Sequence, residues 1–312
     1  MIGRRSLLVG LVAAAGGLFL VRDRLPWPPL DVRFANGRDT PWEPIPRGGL
    51  VEIPAAVNGT PIRAIVDSGA QFSAIDRGLA QRLGLPRTVA APMLAFGVSG
   101  GPTLTHTVGL DLTLAGLAVP GLRAAALDLA AVGQATGRDF QLLIGRDVLR
   151  HVLVETDYPL RRSRLLARGA YAPPPDARVL RLKDTGRGPM LPAQIESGPP
   201  IHLLVDTGAA AAIALSEAAA QQAGLLAPGR RVTPAHSVSL GGLSLDRRVT
   251  ARTANVGGLA LQNVEVQVYR PAANAPAPSG LVGARLFSRY RIVLDLAGDA
   301  LHLVPPAVII TG

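Results

Sequence analysis

Cysteine is absent from the 312-residue chain. Disulfides, thiolate metal sites, a nucleophilic thiol and a lipidated-cysteine anchor are therefore excluded. Lysine is nearly absent, Lys183 being the single example, and only 4% of residues are aromatic. The net charge of +10 rests on scattered arginine. No basic helix, zinc-finger spacing or aromatic RNA-binding strand presents that charge, so a generally basic surface is expected and nucleic acid is not the expected partner. No interior run is long and apolar enough to cross a bilayer, which excludes a polytopic membrane protein. The histidines, at 106, 151, 202, 236 and 302, never fall at close ligand spacing. Neither a metal nor a cofactor is expected.

Hydrophobic residues make up 48% of the chain and the mean hydropathy is +0.29, which excludes a disordered chain. Glycine (35) and proline (27) are plentiful and favour turns and strands over long helices. The length suits two domains of about 130 to 150 residues.

Residues 1–24 read as an export signal or an N-terminal anchor. Arg4-Arg5-Ser6-Leu7-Leu8 has a twin-arginine character, and an apolar run from Leu7 to Val21 ends at basic residues. The small-residue site Ala13-Ala14-Ala15 lies inside that run, with Leu18-Phe19-Leu20-Val21 still to come, which argues against cleavage there and for a retained N-terminal anchor. An exported, periplasmic protein with a membrane tether at its N-terminus is expected. Residues 25–44 are Pro-rich and read as an extended tether.

The body is written twice. Pro61-Ile62-Arg63-Ala64-Ile65-Val66-Asp67-Ser68-Gly69-Ala70 returns 139 residues later as Pro200-Ile201-His202-Leu203-Leu204-Val205-Asp206-Thr207-Gly208-Ala209. The turn dipeptides Asn58-Gly59 and Ser197-Gly198 precede the two aspartates at the same distance and predict a hairpin in each copy. A helix-like stretch follows each aspartate, Asp76 to Leu83 closed by Gly84 and Ser216 to Ala223 closed by Gly224. Alternating strand patterns come next, Leu110 to Leu114 and Val264 to Val268. Each copy then carries an apolar pair and a glycine, Leu143-Ile144-Gly145 and Leu281-Val282-Gly283. The gap from aspartate to that glycine is 78 residues in copy one and 77 in copy two. Two copies this even are two homologous lobes, able to pair about a pseudo-two-fold axis.

One carboxylate on a turn is ordinary. Two brought together by pseudo-symmetry cannot both ionise at about 3 Å and so share a proton. The ionised one can deprotonate a water, and the protonated one can donate to the carbonyl oxygen under attack. Asp67 and Asp206 are the candidate catalytic pair. Ser68 and Thr207 offer hydroxyls to lock the loops across the axis, and Gly69 and Gly208 allow close backbone approach.

With these residues in place, the sequence resembles the retropepsin-like aspartic proteases in a tandem, single-chain form. Leu143-Ile144-Gly145-Arg146-Asp147-Val148-Leu149 is similar to the retroviral protease segment I-I-G-R-N-L-L. The resemblance implies an all-β protein of two homologous β-barrel lobes, each with a short helix. It implies an aspartic endopeptidase acting on a peptide or protein substrate as a monomer, its lobes paired within one chain. It implies that Ile144, Gly145, Val282 and Gly283 thread behind the catalytic loops, and that Gly97, Gly100, Gly101, Gly241 and Gly242 belong to flaps. The lobes are read as 45–168 and 179–305, with a linker at 169–178 around Pro173-Pro174-Pro175 and a tail at 306–312. Departures from the family pattern are Gln71 and Ala210 in place of a common acid, Ala212 against Ser73, and Ala284 against Arg146.

Two rivals stand beside this reading. One is a peptide-binding or scaffold protein that keeps the fold without useful hydrolysis. The other is a serine hydrolase using Ser99, since Gly97-Val98-Ser99-Gly100-Gly101 matches the nucleophile-elbow pattern; that pattern needs a helix after it, and a strand-like stretch follows here. Asp157 and Asp295 are expected in turn or interface roles, and Arg161-Arg162 and Arg164 as a solvated face.

Overall fold

Alternating side chains drive each copy to close on itself. The computed structural model describes residues 10–11, 29–88, 93–95, 103–184, 186–239, 242–271 and 278–306. Strand Thr107–Leu114 turns Leu110, Leu112 and Leu114 into the core and leaves Asp111 and Thr113 exposed. Six strands of copy one pair in a ring: Leu117–Leu127, Ala74–Asp76, Leu142–Ile144, Thr60–Val66, Glu52–Val57, Thr107–Leu114, and back to the first. Copy two repeats the ring with Gly242–Val256, Leu259–Tyr269, Ile213–Ser216, Gly280–Val282, Ile201–Val205 and Pro189–Ile195. The protein is thus all-β, two barrel lobes in one chain. One predicted alternation fails in part. Gln267, read as outward, is buried because its amide donates to the buried Asp246 carboxylate at 2.7 Å.

Helices are few and short. In lobe one, α1 (Arg77–Arg82) follows Asp76, whose carboxylate caps the Leu79 amide at 2.9 Å. Then come α2 (Leu129–Thr136), which no feature of the repeat predicts, and the single turn α3 (Arg146–Leu149). In lobe two, α4 (Glu217–Gln222) is capped by Ser216. Lobe one therefore holds more than the one short helix expected per lobe.

A third sheet joins the lobes. Val152–Asp157 of copy one pairs antiparallel with Arg291–Asp295 of copy two, with Glu155 opposite Val293. Arg162–Ala167 flanks one side, and Ala300–Val304 with Arg178–Arg181 flanks the other. Part of the Pro-rich tether lies down on lobe one. Glu43–Pro44 pairs with Arg162–Ser163, and Trp42 packs under the guanidinium groups of Arg162 and Arg164, 4.3 and 4.5 Å from its ring centre. The arginines read as a solvated face are thus partly occupied by that tryptophan. Asp157 and Asp295 accept turn amides, Leu160 at 3.1 Å and Gly298 at 2.8 Å.

Of the apolar run 7–21, only Gly10–Leu11 is described, a two-residue strand parallel to Ser237–Val238. Among the described residues, no helix is long and apolar enough to cross a membrane.

Candidate active site

Each candidate aspartate sits one residue beyond a buried strand end, Val66 or Val205. The apolar-apolar-Gly strand of the same copy runs parallel beside it, with Ile144 opposite Val66 and Val282 opposite Val205. The Asp67 amide donates to the Ile144 carbonyl at 2.9 Å, and the Asp206 amide to the Val282 carbonyl at 2.9 Å. The glycine after each pair lets the chain pass tightly behind the loop. A Cβ at Gly145 would come within 2.6 Å of the Phe72 carbonyl oxygen, and one at Gly283 within 2.6 Å of the Ala211 carbonyl oxygen.

Across the axis the loops hold each other by a symmetric set of bonds. The Ser68 amide donates to Thr207 Oγ1 (3.0 Å), and the Thr207 amide to Ser68 Oγ (3.0 Å). Each hydroxyl then donates to the strand end of the opposite lobe, Ser68 Oγ to the Val205 carbonyl (2.7 Å) and Thr207 Oγ1 to the Val66 carbonyl (2.8 Å). All four partners are buried, so the bonds act in a dry setting where losing a donor is costly.

The carboxyls face one another over this floor. Asp67 is 0% exposed and Asp206 1%. A Cβ at Gly69 would lie 2.7 Å from Asp206 Cγ, and a Cβ at Gly208 would lie 2.7 Å from Asp67 Cγ. Each glycine is therefore the surface on which the other lobe's carboxyl rests. Asp67 Oδ1 accepts from the Gly69 amide (2.9 Å) and the Ala70 amide (3.0 Å), and Asp206 Oδ1 accepts from the Gly208 amide (2.9 Å). The Oδ2 atom of each is buried and has no hydrogen-bond partner among the described residues.

Burial disfavours the charged form of both groups. It pushes Asp67 up to about 6, against the opposing pull of the Ala70 and Gly69 amides, of Asp206 and of the Arg146 charge. Burial raises Asp206 further, and the Asp67 charge beside it adds to the shift. Both shifts run the same way, so a single proton is held by the pair as a unit.

The supporting residues differ between the lobes. Ser73 Oγ donates to Asp147 Oδ1 (2.8 Å) and accepts from the Gly145 amide (3.1 Å), clasping the loop of lobe one to the turn behind it. Asp147 is lifted to about 6 by desolvation. In lobe two, with Ala212 at that place, the Gly283 amide bonds the Ala212 carbonyl directly at 3.2 Å. Buried Arg146 crosses to lobe two, where a Cβ at Gly188 would collide with its guanidinium. Asp147 was not singled out by the sequence reading; its only signal was a place two residues past Gly145 that copy two fills with Arg285.

Gly97, Gly100, Gly101 and Gly241 lie outside the described residues. Gly242 opens strand Gly242–Val256, which pairs with Thr233–Ser239 as a hairpin. Met93–Ala95 and Thr103–Thr105 pair as the corresponding strands of lobe one. The G-x-S-x-G stretch thus joins two antiparallel strands, whereas a nucleophile elbow needs a helix after it. No group of three or more histidine or acidic side chains able to hold a metal occurs among the described residues.

No match is found among curated proteins. The sequence model of the aspartyl protease family matches twice, at residues 53–148 and 191–286, and each match contains one of the two aspartate loops. The repeated barrels and the repeated match place this chain in the aspartyl protease family, as a tandem two-lobe member.

Proposed function

We propose that the protein is an aspartic endopeptidase in which Asp67 and Asp206 share one proton and drive water onto a peptide carbonyl. The observation that carries this reading is the pair of buried carboxyls, each resting on the other lobe's glycine and each with an unpartnered Oδ2. In one assignment of the shared proton, Asp67 is the carboxylate and takes a proton from the water as its oxygen bonds the carbonyl carbon. Asp206 donates its proton to the carbonyl oxygen, giving a neutral tetrahedral diol. Asp67 then passes its proton to the amide nitrogen, the C–N bond breaks, and Asp206 recovers a proton from the diol as the new carboxyl forms. The pair ends with one proton, as it began. The Ser68–Thr207 lock fixes the geometry in advance, which lowers the reorganisation needed at the transition state.

Asp67→Asn and Asp206→Asn, made singly, test the reading. Each is expected to lower peptide hydrolysis at least about 10³-fold with the fold intact, since either change removes the acid or the base. Activity above about a tenth of the original in either variant, measured with a quenched fluorescent peptide library, would overturn the paired role. An unmodified chain that binds peptides and hydrolyses none would favour the scaffold reading. We also propose that the chain is exported through residues 1–24; a reporter fused after Arg24 should leave the cytoplasm, and Arg4→Lys with Arg5→Lys should stop it if the route is twin-arginine.

A further inference from the structure

Between the lobes lies a cavity of about 310 Å³ whose wall begins at Ala210, four residues beyond Asp206. Four residues of extended chain reach at most about 14 Å, so the cavity is within a few substrate residues of the dyad. Its charged lining is one-sided. Arg47, Arg138 and Arg161 come from lobe one and Arg248 and Arg285 from lobe two, against the single acid Glu265. Glu265 is shared by Arg285 (3.0 Å) and Arg248 (3.4 Å), and Arg138 is paired with Glu52 outside the lining. Arg47 and Arg161 are exposed and have no acidic partner among the described residues. Gly48 admits the Arg138 guanidinium; a Cβ there would stand 3.0 Å from its Nη2.

A second observation points to a ligand. Tyr158 lines the same cavity, is 7% exposed, and its hydroxyl is buried with no hydrogen-bond partner among the described residues. A buried hydroxyl left unsatisfied is costly, and an acceptor placed beside it would relieve that cost. Burial also holds the phenol protonated, so it can only be a donor toward an anion.

The pseudo-symmetric cavity, about 240 Å³ beside Gln71 and Phe72, has a smaller excess: three arginines, Arg123, Arg146 and Arg150, stand against Asp147, and Arg150 is held by Asp184.

We propose that the lobe-two cavity is a subsite for an acidic side chain, Glu or Asp, of the substrate peptide. The proposal rests on the peptidase reading above. A carboxylate entering the cavity meets guanidinium groups that lack an acid of their own and a neutral phenol donor, a set suited to charge-assisted hydrogen bonds. The lobe-one cavity offers no equal surplus, so the preference falls on one side of the cleaved bond.

The test uses ten-residue peptides in pairs identical except for one Glu or Gln, with that position walked along the chain. At one position, on one side only of the cut, Glu should raise kcat/KM about ten- to hundredfold over Gln. Arg47→Ala with Arg161→Ala, both at exposed positions, should bring that ratio to about one, and Arg161→Glu should turn the preference toward Lys. Equal rates for Glu and Gln at every position, or a preference indifferent to these arginines, would overturn the proposal. Binding of the same pairs to Asp206→Asn protein, by calorimetry at low and high salt, separates this from failure of the peptidase reading. Tighter, salt-sensitive binding of a Glu peptide supports the subsite even if nothing is cleaved; equal binding of each pair overturns it.

Discussion

Gly69 and Gly208 show why the D-[ST]-G loop admits so little change. Their missing side chains are the space in which the opposite carboxyls rest. Closeness of two buried acids has a cost in stability, and the cost depends on pH. Both carboxyls are held above their ordinary range by burial, Asp67 at about 6. Between about pH 4 and 6 and beyond, the native protein binds more protons than the unfolded chain, so stability falls as pH rises through that window. Asp206→Asn keeps the shape and removes the forced proton. It should raise the unfolding midpoint in urea at pH 7 and change it much less at pH 4. A variant less stable than the parent at pH 7 would show that the acids do not oppose folding. The candidate pair, Asp67 and Asp206, is legible in the sequence because the loop is written twice. The asymmetric helpers could not. Asp147 matters through Ser73, which lies 74 residues away in the chain, and Tyr158 through a wall contributed by both lobes.

Among the elements, those written in both copies are legible. Asp76 and Ser216 announce α1 and α4 as caps, with Gly84 and Gly224 as stops. α2 has a cap and a stop of its own, Asp128 on the Ala131 amide (3.1 Å) and left-handed Gly137, but copy two does not repeat them and Gly133 in its middle reads as a breaker. In the fold that glycine is needed, because a Cβ would stand 2.6 Å from the Arg138 carbonyl oxygen. The helix is held from outside: Leu129 and Val132 pack with Leu50, Phe140 and Leu143 of lobe one and with Val238 of lobe two. Val238 belongs to the strand of the lobe-two hairpin, and α2 lies against it. The hairpin is therefore anchored on the opposite lobe. Leu129→Ala should destabilise by about 2–4 kcal/mol. More specifically, it should speed amide exchange in 233–239 while leaving barrel strand 201–205 protected. Equal acceleration in both segments would mean that α2 supports the fold as a whole and does not tether the hairpin.

At the scale of the molecule, three features stand out among those that hold the two lobes together. The first is the Ser68–Thr207 lock. The second is the joint sheet, where Val154 stands opposite Leu294 and Thr156 opposite Ile292. The third is Glu155, 1% exposed, which lies in lobe one and binds Arg164 of its own lobe at 2.7 Å and Arg291 of lobe two at 3.1 Å. Such a buried carboxylate with two guanidinium partners is strongly penalised if either lobe withdraws, because it would be left under-compensated. A chain with a single such lobe would have to pair with a second copy and so depend on concentration. Here the strand Arg178–Arg181 at the end of the linker pairs with Ala300–Val304 of the second lobe, and the linker ties that lobe to the first within one chain. The effective concentration of one lobe at the other is on the order of millimolar, far above any assay concentration. Specific activity should therefore stay constant over a thousandfold dilution of enzyme, and sedimentation should report a monomer across the same range. Separate halves 45–168 and 179–312 should each be inactive, since each exposes an unpaired edge at 152–157 or 291–295 and holds only one of the two carboxyls. A specific activity that falls on dilution of the intact chain would mean that the working pair forms between chains. The contacts between Ser68 and Thr207 would then have to be reassigned to a dimer.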